Sequence, residues 1–242
     1  MQTLIKPLNY NRTSNEFQNY YTKFLTNHDN LKNQKNNTDY PRTLRLLRIR
    51  LRLIIGLEFR FNTKYSLVKS PIVERTYKCI LRTNEAWFAI EALIQHCVYE
   101  NIITQTSMVR RYSSYSRNID MTSTLRIINS LLIEKLWSKS RRKRYVINFL
   151  NFLVNNSKTE LRNSLNRAIT KINNEIDFDN EDLLSIAYGT RNTFIHQGES
   201  AFSGTENYTS KIVLLKIVYD FLILFNLKAT NSFYNQRLSL SL

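Results

Sequence analysis

Residues 70–100 read SPIVERTYKCILRTNEAWFAIEALIQHCVYE, and from Ser70 onwards this stretch has sharp helical signals. Ser70 can cap a helix, and Pro71 suits a first helical turn because the backbone N–H that proline lacks would have no partner there. Apolar residues then follow at helix-like spacing, which is typical of a helix with a buried face. They are Ile72, Tyr77, Ile80, Leu81, Phe88, Ile90, Leu93, Ile94 and Cys97. One long helix that ends near Glu100 is therefore predicted.

The rest of the chain has the composition of a helical protein. Its 242 residues include only 4 Gly and 3 Pro, which is too few for the many turns of a multi-stranded antiparallel sheet. A hydrophobic content of 43% is enough to build one buried core. We therefore expect an all-α helical bundle over 70–230, preceded by a partly irregular helical arm over 1–69 and followed by a tail over 231–242.

The arm contains one clear helix and one ambiguous segment. Aromatic residues keep helical spacing from about residue 14 to 26, and Ser14 can serve as the N-cap. Residues 30–37 are the most loop-like run. Residues 42–62 alternate in part as a strand does, yet their leucines also keep helical spacing, and we interpret the segment as a helix. Its arginines either bind phosphate or cover apolar surface with their aliphatic stems.

Further helices are predicted within the bundle. They cover 122–137, 145–154 and 157–176, then a helix from 180 that leads into residues 191–196, and finally a helix that ends near 227. Ser157 and Glu160 have the spacing of a capping box, and Asn180 can cap the next helix. Residues 105–120 and the basic run at 138–144 are expected to connect helices.

The charge of the chain points to a polyanionic partner or an acidic surface. The formal net charge is +16, which leaves RNA, DNA, anionic lipid and an acidic protein as partners. Basic residues interleaved with Tyr112, Tyr115 and Tyr145 offer phosphate pairing beside rings on which bases can stack. The alternative is that these runs are solvated loops. The candidate RNA-binding residues are Arg110, Arg111, Arg117, Arg141, Arg142, Lys143 and Arg144.

Several site types find no support in the sequence. Cys79 and Cys97 show no CxxC spacing and are expected to be small buried residues in a reducing compartment. Neither a zinc-ligand pattern nor a Walker, GxGxxG or GxSxG motif occurs. The acidic residues of 177–182 lack the glycine and the closing glutamate of a calcium loop. We therefore expect no metal and no cofactor.

The sequence also gives no sign of a membrane protein. The N-terminal residues MQTLIKPLNY lack the charged and apolar regions of a signal peptide. The most apolar segment, 212–227, is interrupted by Lys216, Asp220 and Asn226 and is too short and polar to span a bilayer. A soluble, cytoplasmic protein is expected.

Residues 191–198, RNTFIHQG, combine the groups needed to cleave RNA without a metal. Arg191 supplies a fixed positive charge for a phosphate, and His196 can transfer a proton near neutral pH. Asn192 can hold either side chain, and on a helix it shares a face with His196. Arg191 would lie roughly 140° from His196 around an ideal helix, so the two would flank a groove. The alternative for Arg191 is a structural ion pair with Asp182, Glu181 or another nearby acidic residue.

The neighbours of these residues are expected to be structural. Phe194 and Ile195 are expected in the core, and Gly198 is expected to end the helix in a left-handed conformation. Gly189 and Thr190 could loosen the helix, because Thr190 could cap a helix that starts at Arg191.

The run at 191–198 resembles the R-x4-6-H motif of the HEPN superfamily (higher eukaryote and prokaryote nucleotide-binding domains), in its common Arg-Asn variant. The resemblance implies a HEPN-type all-α bundle in which Arg191, Asn192 and His196 form a catalytic set at a homodimer cleft. It also implies a metal-independent endoribonuclease, with a toxin or defence role and a neutralising partner protein. Some HEPN toxins carry a modified tyrosine two residues after the histidine, where this chain has Gly198.

The chemistry gives an independent reason to expect a dimer. Attack by the 2′-hydroxyl on the phosphate needs a base, an acid and charge compensation, whereas one chain offers one motif histidine. Two interpretations compete with the enzyme. One is a non-catalytic HEPN-like module that binds nucleic acid, nucleotide or a protein partner, and the other is a helical adaptor in which the RNxxxH match is accidental.

Overall fold

The computed structural model describes residues 15–34, 45, 48–51, 53, 70–104, 106–200, 203–204 and 207–239. The regular elements in this part of the chain are all helical, and the predicted all-α class is confirmed. Among these residues, two π-helical turns occur, at Ile133–Trp137 and at Asn192–His196. The α-helices are α1 (Asn15–Gln34), α2 (Pro71–Tyr99), α3 (Met108–Ser116), α4 (Thr122–Leu132), α5 (Ser140–Asn155), α6 (Thr159–Asn173), α7 (Asn180–Arg191) and α8 (Tyr208–Ser239).

The helix predicted from the opening stretch is confirmed as α2, which is capped at its C-terminus by Glu100. Ser70 is its N-cap, although the cap is made by the backbone rather than by the hydroxyl. The Ser70 carbonyl accepts from the backbone N–H groups of Val73 (3.1 Å) and Glu74 (3.2 Å). The long buried face of α2 places this helix at the centre of the core.

The second central element is α8, which packs along α2. Two buried side chains join these helices: Thr83 Oγ1 donates to the Leu215 carbonyl (3.4 Å), and Asn226 Nδ2 donates to the Ala86 carbonyl (3.1 Å). The predicted end near residue 227 is wrong, because α8 continues to Ser239. Residues 231–239 are therefore helical, and the predicted tail over 231–242 begins inside this helix.

Packing against α1 explains the length of α8. Asn27 Nδ2 donates to Asn231 Oδ1 (3.3 Å), and the His28 ring bonds the Tyr234 hydroxyl (3.2 Å). Burial lowers the pKa of His28 to about 4, with a further lowering by the charge of Arg48, so the ring stays neutral in this contact.

The same contacts extend α1 beyond its predicted end. Residues 30–34 are helical, so the expectation of a loop from residue 30 is wrong for this part. The predicted N-cap Ser14 lies outside the described residues. Of the ambiguous segment 42–62, residues 48–51 are helical and Leu51 is fully buried, whereas most of the segment also lies outside the described residues.

Residues 105–120 were expected to be a connection, but they contain α3. The cause is burial of its tyrosines. The Tyr112 hydroxyl lies 2.9 Å from Ser185 Oγ in the core, and the Tyr115 hydroxyl donates to the Ala229 carbonyl (3.1 Å). These two rings are therefore not exposed surfaces for bases, contrary to the sequence-based expectation.

The basic run at 138–144 does not form a connection, because α5 already begins at Ser140. The predicted capping box of the next helix is also wrong. Ser157 Oγ donates to the Leu153 carbonyl (2.6 Å), and Lys158 occupies the N-cap position of α6 without a side-chain bond. This helix ends at Asn173 rather than near residue 176.

The N-cap of α7 is Asp179 rather than Asn180. Asp179 Oδ1 accepts from the Asp182 N–H (3.0 Å), and Asp182 Oδ2 accepts from the Asp179 N–H (2.9 Å), which completes a reciprocal capping box. Arg167 and Lys171 of α6 bind both carboxylates. This network fixes the start of α7, whose other end carries the motif.

Two further observations concern the cysteines and membrane insertion. Cys79 and Cys97 are not joined in a disulfide, and both are buried, as expected for small core residues. Within the described ranges, no helix combines the length and the apolar character that crossing a bilayer requires.

Candidate functional site

The motif lies where α7 changes from an α-helix to a π-helical turn. Backbone bonds in a π-helix join residues five apart, so side chains at positions i and i+5 come close together. Arg191 and His196 have this separation, and Arg191 Nη1 contacts His196 Nε2. The prediction that the two side chains flank a groove is therefore wrong, because it assumed an ideal α-helix.

The contact restricts the roles of the two groups. A guanidinium N–H can only donate, so a hydrogen bond between them requires His196 Nε2 to accept. Arg191 Nη1 also donates to Asn192 Oδ1 (3.1 Å). Asn192 thus holds the arginine, and no hydrogen bond between Asn192 and His196 is found among the described residues.

Arg191 is anchored to α2 on its other side. Its Nη2 lies 3.1 Å from Glu91 Oε1, and its guanidinium lies 5.5 Å from the centre of the Phe88 ring. The side chain of Arg191 is only 15% exposed. The alternative of a structural ion pair is thus partly realised, with Glu91 rather than with Glu181 or Asp182, both of which bind Arg167.

Glu91 is the site residue that the sequence analysis missed. The sequence did contain a signal for this residue: Glu91 is the single carboxylate in the apolar run AWFAIEALI at 86–94. A charged residue on such a helix needs a partner when it is buried. Phe88 lies three residues earlier on the same face of α2 and also packs with Arg50, whose guanidinium lies 5.2 Å from the ring centre. The helical arm therefore approaches the candidate site through Arg50.

Gly189 allows α7 to approach the α5–α6 pair closely. A Cβ atom at this position would lie 3.3 Å from Leu165 Cδ1 and 3.4 Å from Leu153 Cδ1. The neighbouring Thr190 lies inside the helix and donates to the Ile186 carbonyl (2.8 Å). The expectation that Gly189 and Thr190 loosen or restart the helix is therefore wrong, since both residues belong to one continuous packed turn.

The motif side chains divide into a buried and an exposed set. Phe194 is buried as predicted, but Ile195 was expected in the core and is 43% exposed. His196 is exposed beside it. Gly198 ends the turn with φ +69°, the left-handed conformation predicted for it, and Gln197 Nε2 donates to the Asn156 carbonyl (2.9 Å). The histidine thus faces solvent at the edge of a fixed turn.

A cleft of about 690 Å³ opens beside these residues. One wall is Tyr188, Arg191, Asn192, His196 and Gln197, and the other is formed by the start of α3 and the turn between α5 and α6. The second wall contributes the hydroxyls of Ser107 and Thr159 and the amine of Lys158. The cleft therefore combines proton-transfer, cationic and hydrogen-bonding groups.

One carboxylate in the cleft is already engaged. Glu160 Oε1 lies 2.8 Å from Arg110 Nε, and Ser107 Oγ donates to Glu160 Oε2. The ion pair with Glu160 thus holds Arg110 next to the cleft. The structure brings this one predicted RNA-binding residue near the motif.

The other predicted RNA-binding residues lie elsewhere. Arg117 pairs with Glu181 (3.4 Å), Arg142 donates to the Lys135 carbonyl (2.9 Å), and Lys143 lies 3.7 Å from Glu175. Arg111 lies in α3, next to Arg110. Arg141 and Arg144 lie near the start of α5, where both guanidinium groups contact the ring of Tyr145.

A buried lysine lies behind the motif. Lys211 Nζ lies 4.5 Å from the centre of the Phe194 ring and 4.7 Å from that of Phe149, and it donates to the Ser203 carbonyl (2.9 Å). Burial lowers the pKa of Lys211 to about 7, partly offset by the charge of Glu199. The lysine links α8, the motif and the segment that follows it.

Among the residues with described positions, no group of three or more His, Cys, Asp or Glu side chains could hold a metal ion. Comparison with protein-family models, with curated proteins and with solved structures gave no match. The function is therefore inferred from the chemistry of the cleft.

Proposed function

We propose that the protein is a metal-independent endoribonuclease of HEPN type. The observation that carries the proposal is the π-helical turn that brings Arg191 and His196 into contact at the wall of an open cleft. Such turns occur often at functional sites. A guanidinium beside a neutral imidazole is the pair needed to bind a phosphate and to remove a proton from a neighbouring hydroxyl.

The geometry supports a sequence of steps. An RNA phosphate accepts hydrogen bonds from Arg191 and displaces His196 Nε2 and Asn192 Oδ1, because an anionic oxygen is the stronger acceptor. The freed Nε2 then lies beside the phosphate and takes the proton of the 2′-hydroxyl. The resulting oxygen attacks phosphorus, and the 5′-oxygen leaves with a proton from an acid. The products are a 2′,3′-cyclic phosphate and a 5′-hydroxyl.

One chain supplies one motif histidine, so the proposal includes a homodimer. The second His196 is the acid that protonates the leaving oxygen. Ile195 is exposed next to His196, so a second copy that brings the two His196 side chains together would also cover its apolar side chain. In this proposal the cytoplasmic toxin or defence role and a neutralising partner protein follow from the HEPN resemblance alone.

The test is cleavage of single-stranded RNA in excess chelator. We expect cleavage to persist and to leave 2′,3′-cyclic phosphate ends, which can be identified by mass spectrometry. Activity that disappears on chelation and returns with magnesium would overturn the metal-independent mechanism.

A second function has support from a specific contact. His196 Nε2 accepts from Arg191, and Arg191 is also paired with Glu91, so both catalytic groups already have partners. A site of this kind favours a non-catalytic HEPN-like module that binds nucleic acid, nucleotide or a protein. Purified protein that binds RNA at micromolar concentration and never cuts it would select this function over the enzyme.

A further inference from the structure

The exposed face of α5 leads from the cationic start of this helix to the cleft. Five residues of the helix are exposed at alternating spacings of three and four, and together they form the α5 stripe: Arg141, Arg144, Asn148, Asn151 and Asn155. At 3.6 residues per turn they fall within about 80° of one another, and their 14-residue separation corresponds to about 21 Å. The stripe ends next to Asn156, which lines the cleft.

The charge of this surface favours an anion. Residues 140–173, which include α5 and α6, contain a single acidic residue, Glu160, and it is already bound by Arg110 and Ser107. The same segment contains eight basic residues. Three of them, Arg167, Lys171 and Lys143, are near carboxylates of residues 175–182. The other five are Arg141, Arg142, Arg144, Lys158 and Arg162. The α5 stripe itself carries two positive charges and no negative charge.

The two arginines of the stripe are available for a partner. Within the described part of the chain, neither Arg141 nor Arg144 forms an ion pair. Their contacts are with Tyr145: Arg141 Nε donates to its hydroxyl (3.1 Å), and the two guanidinium groups lie 5.8 and 5.7 Å from its ring centre. Arg142 and Lys143 point elsewhere, towards Lys135 and Glu175.

Helix stability does not explain this placement of cations. Arg141, Arg142 and Lys143 lie in the first turn of α5, where the helix dipole disfavours positive charge. The turn contains no acidic residue, and the N-cap Lys139 makes no side-chain capping bond. A bound polyanion would relieve the repulsion between these cations and the helix end.

We propose that the α5 stripe binds a single strand of RNA whose scissile phosphate occupies the cleft, an inference that rests on the proposed function. The arginines bind backbone phosphates, the Tyr145 ring stacks with a base, and the asparagine amides pair with base and ribose groups. Splayed bases of a single strand present these groups, whereas those of an RNA duplex are hidden in a deep, narrow groove. The length of the stripe matches that of a few nucleotides of a single strand.

The composition of the stripe disfavours the other polyanionic or acidic partners. A helix that lies on a membrane needs apolar residues on its exposed face, and a protein interface needs an aromatic or apolar centre. The five stripe residues are arginine and asparagine. Binding to anionic lipid vesicles or to an acidic protein is thus an outcome that would count against the proposal.

The first test is RNA binding by Arg141→Ala/Arg144→Ala in the His196→Ala background, in which cleavage of the probe is expected to be slow. The probe is a fluorescent single-stranded RNA of roughly a dozen nucleotides, read by anisotropy over a range of salt concentrations. Loss of two phosphate contacts is expected to reduce the slope of log K against log salt by about 1.4. The matched control is Lys23→Ala/Arg126→Ala, which removes two exposed charges from α1 and α4 and is expected to change the slope little.

The second test places negative charge in the middle of the stripe. Asn148→Asp/Asn151→Asp is nearly isosteric at exposed positions, so folding is expected to be retained, as thermal unfolding can verify. Binding of the long probe should weaken, whereas binding of a probe of about three nucleotides, short enough to fill only the cleft, should change little. The control is Asn19→Asp/Asn30→Asp on the exposed face of α1.

The outcomes separate this proposal from the proposed function. If the wild-type protein cuts RNA and the α5 variants bind the long probe as their controls do, RNA binding by the stripe is disproved and the endoribonuclease proposal is retained. If the α5 variants lose binding selectively but the wild-type protein never cuts RNA, RNA binding by the stripe is supported and the endoribonuclease proposal is disproved. If the wild-type protein binds no RNA, or binds only vesicles through these residues, the stripe is overturned.

Discussion

Arg191 is the side chain on which the candidate site depends, because one guanidinium contacts three groups. Nη2 pairs with Glu91, and Nη1 faces both Asn192 and His196. Only a planar group with several fixed donors can serve these partners together.

The sequence identified Arg191 and His196 by residue type, but their contact could not be predicted because it depends on the π-helical turn. Nor did the sequence reveal Glu91 as the partner, since it lies 100 residues away.

His196→Ala is expected to reduce RNA cleavage by about 10²–10⁴-fold, the usual loss when a general acid–base group is removed. The thermal unfolding temperature should change little, since the side chain is exposed and forms part of no buried cluster. Initial rates on a fluorescent RNA measure the first effect and calorimetry the second. Ser130→Ala, at an exposed position of α4, is the control. Wild-type cleavage by His196→Ala would show that this histidine is not catalytic.

Arg191→Lys should lose most cleavage although the charge is retained. An ammonium group cannot pair with Glu91 and at the same time present a flat pair of donors to a phosphate. RNA binding should persist in this variant, because the cationic surface of α5 supplies affinity that does not depend on the cleft. Cleavage assays and anisotropy on the same protein separate the two quantities. Equal cleavage by the lysine variant would reduce Arg191 to a generic positive charge.

At the scale of elements, the sequence predicted best where the determinants were local. The start of α2 follows from the adjacent Ser70 and Pro71, and the turn at Gly198 follows from the tolerance of glycine for positive φ. The π-helical turn has no such signal, since its residues also fit an α-helix. The last three turns of α8 were missed because polar Asn226 and Asn231 interrupt the apolar pattern. Both asparagines are buried and hydrogen-bonded to other helices.

The pair of Arg191 and Glu91 joins α7 to α2, and its strength can be measured without reference to function. We expect a double-mutant cycle with Glu91→Gln and Arg191→Met to give a coupling energy of about 0.5–3 kcal/mol in urea unfolding. The value should exceed that of a surface pair because the two side chains are only 15% and 22% exposed. The pair Lys135–Glu134, whose side chains are 42% and 61% exposed, provides the comparison cycle. A coupling near zero would mean that the ion pair does not hold the motif against α2.

At the scale of the whole molecule, the core is built around α2 and α8, and the candidate site lies at its edge. The all-α class could be predicted because the scarcity of glycine and proline is a property of the whole chain. The relation between distant segments could not, since it depends on contacts such as those of Asn27 with α8 and of Arg50 with Phe88. Lys211 is another such case. Its position near the start of an apolar helix did not indicate that the side chain would be buried behind the motif.

The buried Lys211 predicts how stability depends on pH. Its pKa is about 7 in the folded protein and 10.5 for a solvated lysine, so between these values the unfolded chain binds more protons than the folded one. Stability therefore gains a contribution that rises with pH across this window and is smallest below pH 7.

Lys211→Met keeps an unbranched side chain that is one atom shorter and removes the ionisable group. The unfolding temperature of the variant relative to wild type should thus be highest below about pH 7 and should fall steadily towards about pH 10. The comparison cancels the pH effects of all other groups, and Lys23→Met at an exposed position of α1 should give a constant difference. Calorimetry across the pH range measures both differences. A difference for Lys211→Met that does not change with pH would show that the lysine keeps an ordinary pKa when folded, and that the segment behind the motif admits water.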